Sequence, residues 1–175
     1  TTSLATIVIE EDTTISMANK EFENLSGYSK EELEGTKSWT EFVVAEDLKR
    51  MQEYHRQRRI DPEKTIKSYE FRFINREGGL RDILIRVDTI PGTKASVASL
   101  LDITERKQAE VQLRESQLSY QSLFKNVPSG IYRSTPDGEI LAANPALVRM
   151  LGYGSEDELI KIHINDLYVD PAQRE

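Results

Sequence analysis

Apolar and polar positions follow two rhythms along this chain, and the places where the rhythm changes mark its elements. Ala5 to Ile9 is a β-branched apolar run, Glu10-Glu-Asp-Thr13 supplies a turn, and Ile15 to Ala18 predicts the returning strand of a hairpin. Asn19 then stands before a short stretch that carries Phe22 and Leu25 inward, the place of a helix N-cap, and Gly27 ends it. Ser29 to Glu34 predicts a one-turn helix closed by Gly35, and Ser38-Trp-Thr-Glu41 has the form of a capping box. Ala45 to Arg59 sets Leu48, Met51, Tyr54 and His55 on one helical face, until Asp61-Pro62 breaks the helix. From Tyr69 to Phe73 the period drops to two, as a half-exposed strand requires. Asn75 to Gly79 is a hairpin loop, Ile83, Ile85 and Val87 alternate in the next strand, Pro91-Gly92 is a turn, and Ala95 to Ile103 is a last strand. The order β-β-α-α-α-β-β-β predicts an α+β fold: an antiparallel sheet with helices grouped on one face.

The same order begins again later. TIVIEEDTTISMANKEFENLSGYS aligns without a gap to IYRSTPDGEILAANPALVRMLGYG, pairing Asp12 with Asp137, Ile15 with Ile140, Ala18 with Ala143, Asn19 with Asn144, and Gly27-Tyr28 with Gly152-Tyr153, always 125 residues apart (144 − 19 = 125). After one inserted residue Ser155-Glu-Asp-Glu158 repeats the S-x-x-E form of Ser29-Lys-Glu-Glu32, and Tyr28 and Leu33 sit where a hydrophobic staple places them. Positions after Met51 have no counterpart in the second copy. The expected organisation is a complete domain over 1–104, a helical linker over 105–127, and the front part of a second domain over 128–175, within a longer protein.

Leu100 to Leu113 joins the two parts. Its first half continues the last strand and its second half is charged and helix-favouring, with no Gly or Pro between. Asp102, with Glu105 three residues on, predicts a D-x-x-E cap for the linker helix, and Thr104 is the alternative cap. Ala109, Leu113, Ser116, Tyr120, Leu123 and Val127 are spaced 4, 3, 4, 3 and 4, a heptad-like seam. It predicts a parallel homodimer through the linker. The alternative is that the seam packs back on its own sheet.

Composition narrows the chemistry. A net charge of −7 argues against a broad nucleic-acid surface. The one basic cluster, His55 to Arg59, ends the predicted long helix, where cations complement the helix dipole; a specific anion site is the alternative. With no Cys there is no disulfide, no Cys-type zinc site and no thiol–cofactor adduct, and a total of two His argues against a multi-His metal site. No apolar run approaches the roughly 20 residues that cross a bilayer, and no direct membrane contact is expected of this segment. Phosphate loops, dinucleotide fingerprints, metalloprotease helices and nucleophile elbows are missing from the sequence, which predicts a non-enzymatic segment.

With these elements in place, the chain resembles the PAS domain family. The Asn before the first helix, Gly27-Tyr28 and Val44-Ala-Glu-Asp47 match its front half. Glu70-Phe-Arg-Phe73, Asn75-Arg-Glu-Gly78 and above all Asp102-Ile-Thr-Glu-Arg-Lys107 match its C-terminal half, often called the PAC motif. Leu113-Arg-Glu-Ser116 and Tyr120-Gln-Ser-Leu-Phe124 resemble the linkers that join such domains. The resemblance implies a five-stranded sheet whose concave face holds a ligand or is filled by its own core. The matching positions on that face are Ile7, Ile15, Phe22, Leu25, Tyr28, Trp39, Phe42, Phe71 and Val97. It also implies that Asp102 and Thr104, with Glu105 beside them, fix the strand–helix geometry and relay a signal.

Such domains are common upstream of histidine kinases, cyclic-dinucleotide enzymes and transcription regulators. The expected role is therefore a cytoplasmic sensory relay in a multi-domain protein, a two-component histidine kinase foremost, with an effector domain downstream in the same chain. A ligand-free interaction module is the rival, and a flavin or haem sensor the third reading. Haem would need His55, whose neighbours Arg56, Gln57 and Arg58 predict exposure; flavin would use Trp39 and Asn19. No resident cofactor or metal is expected, and His163 is assigned no role.

Overall fold

A two-stranded hairpin and a three-stranded meander frame the first unit of the computed structural model, which describes residues 4–167. Strands β1 (Ala5–Ile9) and β2 (Ile15–Ala18) pair antiparallel, with a register shift at Val8/Ile9. Then come α1 (Lys20–Ser26), α2 (Lys30–Leu33), a 3-10 turn (Trp39–Phe42) and α3 (Ala45–Ile60). Strands β3 (Ser68–Ile74), β4 (Leu80–Thr89) and β5 (Ser96–Asp102) complete a five-stranded antiparallel sheet in the order β2-β1-β5-β4-β3. The last strand thus lies at the centre, beside the first. One residue later α4 (Thr104–Asn126) begins.

One face of the sheet is packed. Alternation sends Ile7 and Ile9, Phe71 and Phe73, Ile83, Ile85 and Val87, and Ala98 and Leu100 inward, where they meet Phe22, Leu33, Trp39, Phe42, Val43 and Met51. Phe22, Phe42 and Phe73 form an aromatic triangle: Phe22 lies edge-on to the other two at 5.5 and 6.0 Å, and Phe42 stacks on Phe73 at 5.5 Å. Edge-on and offset contacts suit the ring quadrupoles, adding to the roughly 1.5–3 kcal/mol that burying each side chain contributes.

Local chemistry holds the helices as the sequence predicts. Ser29 and Ser38 each close a reciprocal capping box, with Glu32 and Glu41. Gly27 ends α1 at φ 78°, a left-handed conformation that glycine adopts without a Cβ penalty. An added Cβ there would also lie 3.2 Å from that of Arg76.

The second unit, from Glu110 onward, carries the repeat into three dimensions. It comprises β6 (Tyr132–Ser134), β7 (Ile140–Ala143), α5 (Pro145–Leu151), α6 (Glu156–Leu159) and a 3-10 turn (Ile164–Leu167). Asn19 Oδ1 accepts the amides of Thr6 (2.9 Å) and Phe22 (3.0 Å), and its Nδ2 donates to the Leu4 carbonyl (2.8 Å). Asn144 makes the same three bonds, each at 2.9 Å, to Ile131, Leu147 and Ser129, every partner 125 residues on. Thr13, at φ 80°, is matched by Gly138 at φ 99°.

The residue inserted before α6 is taken back afterwards, since the bridge Thr14–Ser38 recurs as Glu139–His163. His163 therefore has a role that the sequence reading did not assign. Its Nδ1 accepts the Asn165 amide (3.3 Å), as Ser38 Oγ accepts that of Thr40 (3.2 Å). Ile140, Ala143, Val148, Leu159 and Ile164 give this unit a small core of its own.

The linker expected at 105–127 corresponds to α4, and the two compact units divide within it, between Ala109 and Glu110. Residues 168–175, assigned to the second domain by the repeat, lie outside the described residues, as do residues 1–3. Among the described residues no helix is long and apolar enough to cross a membrane.

Candidate functional site

The inner face of the first sheet and the layer of helices enclose a cavity of about 30 Å³. Roughly 10–15 Å³ of such space holds one water, and small-molecule pockets run to roughly 300–1,000 Å³. In this conformation the core is filled mainly by its own side chains. Ile7, Phe22, Trp39, Phe42 and Phe71, expected at a ligand-facing surface, do line the cavity.

The other expected positions fall elsewhere. Ile15 is fully buried in the core away from the cavity, and Leu25 and Tyr28 pack half-buried against its margin. Tyr28 is flanked by Lys37 and Arg76 at 5.0 and 4.8 Å from its ring, so it closes the core on the solvent side. Val97 is a correction. It pairs with Val8 on the opposite face of the sheet, while its neighbours Ser96 and Ala98 turn inward.

The cavity has lining that the sequence reading missed: Ile9, Val43, Met51, Tyr69, Phe73, Ile85, Val87, Leu100, and a polar end built by α3. That end corrects a second expectation. His55 and Arg58 are buried, not exposed, at 9% and 3% relative accessibility. Met51, His55 and Arg58 continue one helical face at spacings of 4 and 3, so the inward stripe includes a cation.

His55 Nε2 bonds to the Glu11 carbonyl (3.1 Å) and its ring lies 5.6 Å from Trp39. Burial, reinforced by the charges of Arg59 and Arg58, holds the imidazole below its ordinary pKa and hence neutral near pH 7. Arg58 donates to the Ile66 carbonyl (3.1 Å), yet its Nε is buried without a partner, as are Trp39 Nε1, Arg59 Nε and Ser96 Oγ. Haem and flavin do not fit this arrangement. The cavity is far smaller than either group.

The strand–helix junction is held at three points. Asp82 on β4 donates its amide to Thr104 Oγ1 (2.9 Å) and accepts the Ile103 amide (2.9 Å), so Thr104 extends the ladder by one side-chain rung. Asp102 accepts the Thr104 amide (2.9 Å) and hydroxyl. The Thr104 hydroxyl is thus committed to the sheet, and Thr104 is the first helical residue of α4, not its cap.

The third tie is Lys107, to which the sequence motif alone assigns no role. Its ammonium bridges Glu70 (2.8 Å) and Asp82 (3.0 Å), and these carboxylates hold it above its ordinary pKa. Glu105 is exposed in the first turn. Beyond it α4 buries none of its residues: Leu113, Tyr120 and Leu123 along the seam are about 60% exposed, and Ala109 and Ser116 are exposed too.

Comparison with known proteins bears on both units. A family profile described as the PAS fold matches residues 15–101, and one described as a PAS domain matches residues 118–174. Among solved structures, the PAS domain of a protein from Colwellia psychrerythraea is 24% identical, with a TM-score of 0.52 over 58% of this chain and 87% of that one. A sensory box histidine kinase/response regulator from Burkholderia thailandensis is 22% identical, with a TM-score of 0.51 over 69% and 92%. The PAS domain of the RpfR quorum-sensing receptor from Cronobacter turicensis, solved with C12:0, is 19% identical, with a TM-score of 0.50 over 59% and 97%. At these identities the likeness is one of fold, and it agrees with the two profile matches and with the asparagine-centred repeat. This chain belongs to the PAS family of sensory domains.

Proposed function

We propose that the chain is the sensory relay of a multi-domain signalling protein, a two-component histidine kinase foremost, which passes the state of its first PAS unit to later domains through α4. The observation that carries this reading is the junction. A central strand runs into a 23-residue helix with one residue between them, and Thr104, Asp102 and Lys107 tie the first turn to β4 and β3. A helix so anchored moves with the sheet, so a change in the core reorients it without any bond chemistry.

The exposed seam through Leu113, Tyr120 and Leu123 is the surface on which a second copy would pack as a parallel homodimer, and two helices would then register a small rotation as a change in pairing. The histidine kinase context draws support from the Burkholderia neighbour, and a small-ligand signal from the Cronobacter one. Inserting two residues after Arg106 rotates the rest of α4 by about 200°. In the full-length protein this insertion is expected to lock or abolish the output; an unchanged output refutes the relay.

The cavity of about 30 Å³ favours a second reading, an interaction module that needs no ligand. Dimerisation of protein stripped of small molecules, equal to that of freshly purified protein by native mass spectrometry, would support it.

A further inference from the structure

The ligand-sized space in the first unit lies beside the core and not within it. A groove of about 600 Å³ opens between the carboxyl end of α3 and the hairpin joining β4 to β5. Ile60, Pro62, Ile90 and Pro91 give it apolar walls; Arg56, Arg58, Arg59 and Lys94 give it charge. Two of these cations are already neutralised, Arg56 by Glu53 (2.7 Å) and Lys94 by Glu11 (2.8 Å).

Arg58 and Arg59 are different. Among the described residues neither forms an ion pair with a carboxylate. Their guanidinium groups rest on main-chain carbonyls: Arg58 on Ile66, and Arg59 on His55 (2.6 Å) and Glu10 (3.0 Å). Each keeps a buried Nε–H with nothing to accept it. Two adjacent cations also oppose each other, and the pKa of Arg59 is lowered by burial and by the charge of Arg58.

The helix dipole explains cations at this end of α3, and it explains the bond from Arg59 to the His55 carbonyl. It does not explain why Arg58 is buried to 3% with its Nε bare, because a dipole acts equally on a solvated arginine. A buried donor without an acceptor costs free energy unless a ligand or water supplies one.

We propose that this groove binds a small organic dianion, a dicarboxylate or a phosphate ester, whose oxygens take the Nε–H groups of Arg58 and Arg59 while its carbon portion lies along Ile60 and Pro91. Planar guanidinium forks match carboxylate and phosphate oxygens, and desolvation strengthens such bonds. The groove is distinct from the core cavity, which it adjoins at His55 and Arg58. Only its consequence for α4 rests on the relay reading above. That consequence has a physical route: His55 and Arg58 border both groove and cavity, and the hairpin wall leads directly into β5, whose far end carries the α4 junction.

The test uses nitrogen-15 spectra of the whole chain, in which arginine Nε–H groups give their own signals. Succinate and inorganic phosphate are titrated separately, with succinamide as the uncharged counterpart of succinate. Succinate and phosphate are expected to shift the Arg58 and Arg59 Nε–H signals saturably while succinamide does not. Arg58→Gln should weaken succinate by about tenfold, the effect of losing one charge-assisted contact. Arg86→Gln, on a strand away from the groove, should leave succinate binding unchanged.

Equal binding of succinamide, or anion shifts no larger than those of exposed arginines under added salt, overturns the proposal. Should Arg58→Gln unfold the chain, the wild-type signals and Arg58→Lys, which keeps the charge and loses the fork, still decide it. If the arginine signals move and the Thr104 amide does not, the anion site stands and the relay reading fails.

Discussion

Replacing Thr104 by Val isolates one rung of the junction. The two side chains have nearly the same shape, so the substitution removes a hydroxyl and little packing. It deletes the acceptor of the Asp82 amide (2.9 Å) and the donor to the Asp102 carboxylate. Asp102 is partly exposed, so water can replace its lost bond cheaply. The Asp82 amide is part-buried, and leaving such a donor unmet costs about 1–2 kcal/mol. The loss should be local, because Ile83 and its neighbours remain paired with both β3 and β5 by the main-chain ladder.

Hydrogen exchange reads this directly. The Asp82 amide should exchange about tenfold faster in Thr104→Val, since about 1.4 kcal/mol corresponds to a factor of ten. Thr104→Ser, which keeps the hydroxyl, should exchange at nearly the wild-type rate. An Asp82 amide in Thr104→Val still protected to within a factor of about two would refute the account, because the hydroxyl would then contribute nothing to the opening that exchange reports.

Other outcomes follow from the same structure. Asn19→Ala removes an N-cap and the acceptor of the Thr6 amide and should lower the stability of the first unit by about 2–3 kcal/mol in urea melts followed by Trp39 fluorescence. Asn144→Ala should unfold the second unit, whose core is small, while the Trp39 signal is unchanged. Burial lowers the pKa of His55 below its ordinary 6.5, so the unfolded chain binds a proton that the folded chain resists. Stability should therefore fall from about pH 7 to about pH 5.5, and His55→Gln should flatten that slope; an unchanged slope would place its origin elsewhere. Leu113→Glu with Tyr120→Glu should convert a dimer to a monomer in sedimentation velocity, and an unaltered dimer would move the interface off the seam.

How far the sequence reaches depends on the range of the interaction. As helix caps, Asn19, Ser29, Ser38 and Gly27 act on atoms within a few residues of themselves, and the chain spells out those caps unaided; the bonds of Asn19 to Thr6 and Leu4 reach across to the first strand and depend on the fold. Alternation in Phe71–Phe73 and Ile83–Val87 likewise sets the inward face, and the spacing of 125 residues predicts for Asn144 the N-cap place that Asn19 holds in the first unit.

Where both faces of an element carry similar residues, pattern decides nothing. In Ser96–Asp102 small and apolar side chains stand at odd and even positions alike, and only the register Ile7↔Ala98 with Val8↔Val97 turns Val97 outward. Arg58 shows the same limit. Its charge predicts solvent, whereas its place seven residues after Met51 puts it on the buried stripe, and only the assembled groove reveals a guanidinium with an unused donor. Lys107 finds Glu70 and Asp82 because strands far apart in the chain come to lie beside the start of α4. Caps, turns and periodicities are local and were determined by the sequence. Burial of a charge, the size of a cavity and the partners of a cation depend on which distant segments meet, and the tertiary structure alone decided them.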